Sequence, residues 1–120
     1  MIRELKRQIK VELEDVGHPA AFGTMPQKDI YPHIVLDLPS DIYQEGLHNL
    51  TLDINVWDKS ESSANVDAIS EMIIDRLDRI RIMSDHHHAI FYFLSMGSFD
   101  SEDPTLRRKT LIFNVQLRRK

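Results

Sequence analysis

His86-His87-His88 is the densest group of metal-ligating side chains in the 120-residue chain. Three imidazoles suit a transition ion such as zinc, provided that they converge on it. Neighbouring residues of an extended chain point to alternating sides, and Asp85 could join only if its loop folded back. A polar loop leading into a strand is the simpler reading, so no metal is expected. Asp100, Glu102 and Asp103 form a second cluster whose oxygens could hold a hard cation. EF-hand spacing is missing and Pro104 follows at once, which makes an acidic turn the better reading. Beside it, Arg107-Arg108-Lys109 offers the opposite charge, either within the chain or to a neighbouring copy.

Other chemistry finds little to work with. There is no GxSxG elbow, and the six scattered histidines select no Ser-His-acid set. The four glycines (17, 23, 46 and 97) stand too far apart for a phosphate-cradling loop. The absence of cysteine excludes disulfides, thiolate metal sites and cysteine nucleophiles, and fits a reducing cytosol. Phe91-Tyr92-Phe93 has the look of a base-stacking platform, but the run around it is apolar and lacks interleaved basic residues. It reads as core. No catalytic residue, cofactor or specific nucleic-acid recognition is expected.

The composition agrees. One domain over 1–120, with 42% apolar and 28% charged residues and a net charge of -4, suits a soluble globular protein with no bulk pull toward DNA or anionic membranes. The N-terminus is charged from Arg3 onward, unlike a secretory signal, and no apolar run approaches a membrane span.

The elements follow from periodicity. Ile2, Leu5, Ile9, Leu13 and Val16 step as one helical stripe over residues 1–16, stopped by Gly17-His18-Pro19. Arg3, Lys6, Arg7 and Lys10 share a flank of that helix, basic first and acidic last, against its own dipole. That flank is a candidate contact surface. Residues 17–29 read as a long Gly/Pro loop, 30–38 as a strand, and 39–46 as a link. In 47–57, Leu50, Leu52, Ile54 and Val56 alternate with Thr51, Asp53, Asn55 and Trp57, a strand with one face on the core. Trp57 on its polar face is a candidate interface anchor.

Ser62 or Ser63 then caps a second helix over 64–80, where Val66, Ile69, Ile73, Leu77 and Ile80 repeat the stripe and Asp75 faces Arg79. Residues 89–96 are nearly all apolar, which predicts a strand covered on both faces or by a neighbouring subunit. A last strand spans about 106–118. The predicted fold is α+β, ordered α-β-β-α-β-β: a largely antiparallel four-stranded sheet with two helices packed on one face.

Three stretches resemble the tail terminator (tail-completion, head–tail joining) proteins of long-tailed bacteriophages and prophages. They are LTLDINVWDKSESSANVDAISEMIIDRLD, then FYFLSMGSFDSEDPTLRRKTLIFNVQLRRK, and the order helix, Pro-Gly loop, YPHIVLDL. The resemblance implies a non-enzymatic homo-oligomeric ring, usually a hexamer, that caps the tail tube and joins it to the head connector. It implies assembly in the host bacterial cytoplasm and a final place at the virion head–tail junction. A head-completion (connector) protein of the same virion, or a small regulatory ligand-binding α+β domain, are the alternatives. Candidate subunit-interface residues are Arg3, Arg7, Lys10, Trp57, Asp100, Glu102, Asp103, Arg107 and Arg108.

Overall fold

The computed structural model describes residues 2–24, 30–99 and 102–119. The stripe of the first helix, α1 (Ile2–Glu14), lies where its spacing puts it, with Leu5, Ile9 and Leu13 fully buried. The second helix, α2 (Ala64–Leu77), buries Val66, Ile69, Ile73 and Leu77 in the same core cluster. It stops before residue 80 because Asp78 turns extended and Arg79 takes a left-handed φ of 63°. Arg79 is therefore outside the helix. The bridging residue is Arg76, which donates to Glu12 at 3.0 Å and to Asp15 at 2.9 Å and clips α2 to the last turn of α1.

The strands are β1 (Ala20–Phe22), β2 (His33–Gln44), β3 (Leu47–Lys59), β4 (Arg81–Met83), β5 (His87–Phe99) and β6 (Leu106–Arg119). They form one curled six-stranded sheet in the order β1-β2-β3-β6-β5-β4. This corrects the expected four-stranded, largely antiparallel sheet. The element order is α-β-β-β-α-β-β-β, and the sheet is mixed, because β1 runs parallel to β2. Both extra strands are three residues long, too short to show any period. β1 lies inside the segment expected to be loop, where bonds from Ile34 N to Pro19 O and from Gly23 N to Leu36 O tie it to β2.

The other correction concerns residues 39–44, expected as a link and found as strand. Pro39 sits in the bulge between Asp37 and Ser40, on the side of β2 that β1 no longer covers, so its missing N–H breaks no ladder. The hairpin then closes at Glu45-Gly46, both at positive φ, as two-residue hairpins require.

One face of the sheet is core. Ile34 and Leu36, then Leu50, Leu52, Ile54 and Val56, then Ala89 and Phe91, then Leu111, Phe113, Val115 and Leu117 pack against both helices. Burying each large aliphatic or aromatic group contributes roughly 1.5–3 kcal/mol, so these four long strands carry most of the fold. The outer face is mainly polar and aromatic, with Val35, Ile90 and Ile112 half-buried among those groups.

Candidate assembly interface

The three histidines of the 86–88 run separate. His86 is exposed, and His88 lies on the outer face. His87 is buried under α1, its Nδ1 3.0 Å from Ser84 Oγ and 3.9 Å from Glu4 Oε2. Among the described residues no three metal-ligating side chains cluster.

The candidate interface residues fall in three places. Arg3, Arg7 and Lys10 are exposed along α1, while Lys6 lies over the Phe22 ring at 5.3 Å. Glu102 and Asp103 are exposed in the β5–β6 turn, and Asp100 lies outside the described residues. Asp103 Oδ1 accepts from Thr105 N at 2.9 Å and from Thr105 Oγ1 at 2.7 Å. Those bonds hold its carboxyl below the usual carboxylate range, with the Lys59 charge as a lesser cause. Arg107 turns onto its own chain, donating to Ser60 O at 3.3 Å and Glu61 O at 2.7 Å. That use braces the segment before α2.

Trp57 and Arg108 are brought together. The register sets His33 beside Trp57, Trp57 beside Arg108, and Arg108 beside Phe99, one residue from each of β2, β3, β6 and β5. The Arg108 guanidinium is 5.2 Å from the Trp57 ring centroid and 4.5 Å from that of Phe99. His33 stacks on the other side of Trp57 at 6.4 Å, with Tyr31 beyond it at 4.9 Å. The result is a cationic and aromatic row across the outer face. Phe99, His33 and Tyr31 are not among the sequence-derived candidates. The available signal is Phe99 itself, an aromatic at the last position before the acidic turn.

The helix-side face near this end is charged and satisfied. Lys109 donates to Asp67 at 2.7 Å, and this bond lowers the Asp67 pKa; burial opposes it, and the Lys109 charge and a bond from Ser63 add to the lowering. Asp58 is buried and accepts from Asn65 Nδ2 at 3.0 Å. On the outer face, burial and then the Asp37 charge raise the Asp53 pKa.

Two stretches of strand expose large apolar side chains where the sheet has no further neighbour among the described residues. On β5, past the part paired with β4, Leu94 is 61% exposed, Met96 47% and Phe99 48%. On β2, past the part paired with β1, Ile42 is 65% and Tyr43 63% exposed. The strand over 89–96 is thus not covered on both faces by its own chain.

No family profile and no curated protein sequence matches this chain. A solved chain does: part of the "Virion of native gene transfer agent (GTA) particle" superimposes with a TM-score of 0.67. The match covers 88% of this chain and 84% of that one at 17% identity. The likeness is one of fold.

Proposed function

We propose that the protein is a structural subunit of a phage-like particle, and specifically a ring-forming tail terminator that caps the tail tube and joins it to the head connector. The observation that carries this reading is the fold shared, over most of both chains, with a component of a gene transfer agent virion. Two features of the chain support it. Large apolar groups sit on open sheet edges, as in subunits that bury them on assembly, and among the described residues no three His, Asp or Glu side chains group as a metal site. The protein acts by geometry and carries no catalytic activity. Its partners are further copies of itself, most simply six, with a tail tube protein on one side of the ring and a connector protein on the other.

Deleting the gene in a particle-producing strain tests this. A cap that stops tube growth leaves tails of uncontrolled length when it is lost, beside full heads without tails. Normal-length tails together with leaking, unjoined heads would move the assignment to a head-completion protein. Normal particles would remove the structural role altogether. The same deletion supplemented with a charge-altered copy then reports on individual surfaces.

A further inference from the structure

The open edges of β2 and β5 have matching hydrogen-bond phases. Ile34 N bonds Pro19 O and Leu36 O accepts from Gly23 N, so the even residues of β2 turn their backbone groups outward before the bulge. The bulge between Asp37 and Ser40 reverses that phase, so that Ser40, Ile42 and Gln44 face β3 and Asp41 and Tyr43 face out. On β5, Phe91 bonds Arg79 and Ile80, and Phe93 N bonds the Asp78 carboxylate, so the odd residues turn outward there. The bulge between Phe93 and Ser95 reverses this too, and Met96 and Ser98 then face out.

All four outward-facing residues lie on the helix side of the sheet. Asp41 pairs with buried Leu50 and Met96 with buried Leu111, while Tyr43 and Ser98 are two residues further on in each strand. An antiparallel join with Asp41 opposite Ser98 and Tyr43 opposite Met96 therefore continues the ladder and keeps helix side on helix side. It sets the exposed Ile42 against Gly97, the one position on that edge with no side chain in the way. Within one chain β2 and β5 run antiparallel to each other, so a copy related by rotation presents its β2 in the required direction.

We propose that the open edge of β5 (94–99) pairs with the open edge of β2 (41–44) of a second copy, which makes each subunit donor at one edge and acceptor at the other. The proposal rests on the assembly role above and names its joint. Charge favours the mixed contact over β5 meeting β5: Asp37 and Asp41 lie on one edge, with Asp41 also 2.9 Å from His48 Nδ1, while Arg108 and the Asp67-bound Lys109 lie on the strand beside the other. It also covers both apolar stretches, whereas a β5–β5 pair would leave Ile42 and Tyr43 in water. Because β1 and β4 block opposite ends of the two edges, successive copies must be staggered along the strand direction. A joint between different surfaces closes into a ring when the strands tilt against the ring axis by the amount that absorbs this stagger, and otherwise runs on as a helix.

The chain contains no cysteine, which makes cross-linking decisive. Assemblies are prepared from Asp41→Cys alone, Ser98→Cys alone, and an equal mixture, then oxidised and run without reductant. Covalent dimers are expected in the mixture and in neither single variant, since opposed strand residues lie within disulfide reach. Dimers from Ser98→Cys alone would overturn the proposal in favour of a β5–β5 joint. Assembled particles without cross-links would overturn the joint and leave the assembly role standing. A chain that stays monomeric at every concentration and with its particle partners present would overturn both. As a second arm, Ser98→Pro removes an outward N–H that β6 does not use. It should raise the half-assembly concentration by about tenfold or more while the urea midpoint stays put. Unchanged assembly would count against the joint.

Discussion

Two phenylalanines on adjoining strands should respond in opposite ways to the same truncation. Phe113 is fully buried at the middle of β6, with Leu52 opposite on β3 and the Phe93 ring 5.5 Å away. Phe113→Ala removes a ring from a site that cannot collapse between two strands, which costs about 3–5 kcal/mol. A chain of this length has a total stability of roughly 6–18 kcal/mol, so that loss is a large share of it. Phe99 is half exposed, and the Arg108 guanidinium lies over its ring. Phe99→Ala should cost only about 0.5–1 kcal/mol.

With a urea m-value of about 1.5 kcal/mol/M, the first change lowers the midpoint by about 2–3 M and the second by under about 0.7 M. Circular dichroism of dilute, unassembled subunits would measure both. Sedimentation of concentrated samples should reverse the ranking: under folding conditions Phe99→Ala weakens association, whereas any Phe113→Ala protein that still folds assembles normally. Equal midpoint shifts for the two variants would refute the division between a core face and an assembly edge.

Acid unfolding should depend on Lys109. The folded Asp67 pKa lies below its unfolded value, so its contribution is present above the unfolded pKa and fades as pH falls through the folded one. Lys109→Met should therefore lower the urea midpoint at pH 6 and leave it nearly unchanged near pH 2, with a small effect because the carboxylate is half exposed. Asp53 has the opposite sign: its pKa is raised, so its ionisation destabilises the fold as pH rises through that value. Asp37→Asn should bring the Asp53 pKa down in an NMR titration, and an unmoved titration would rule out the Asp37 charge as a cause. Gly46→Ala, at a φ of 83° with open space around the added methyl, should destabilise the β2–β3 hairpin by about 1 kcal/mol through backbone strain alone, as read by thermal unfolding.

What the sequence makes legible divides by length and by surface. Both helices and the strands β3 and β6 are long enough to write their period, and their buried apolar residues are those that the period selects, with Asp58 and Ser70 buried besides. β1 and β4 carry three residues each, and only tertiary pairing defines them. Pro39 looks like a break because a proline signals lost hydrogen bonding, yet the open edge of β2 has none to lose there. Trp57 is legible as an aromatic on a polar face, where the structure half-buries it. Its partners are not, since His33, Arg108 and Phe99 come from three other strands and meet only through the register. Arg107 shows the converse: beside an acidic turn it looks available for a neighbour, while its bonds to Ser60 and Glu61 hold its own chain.

The two bulges have a consequence for how such a subunit can be retuned. β3 and β6 run in unbroken register from Leu47–Arg118 to Lys59–Leu106, whereas both irregularities lie in the flanking strands, at Asp37/Ser40 and at Phe93/Ser95. The central pair is a stiff keel, and the bends are left to its two arms. Each arm bends just before its own open edge, so the angle presented to a neighbour is set outboard of the core. An insertion or deletion at either bulge would swing one joint while leaving the helix packing untouched. If the proposed joint forms, the angle between copies could thus drift in evolution while the packing of the interior is kept.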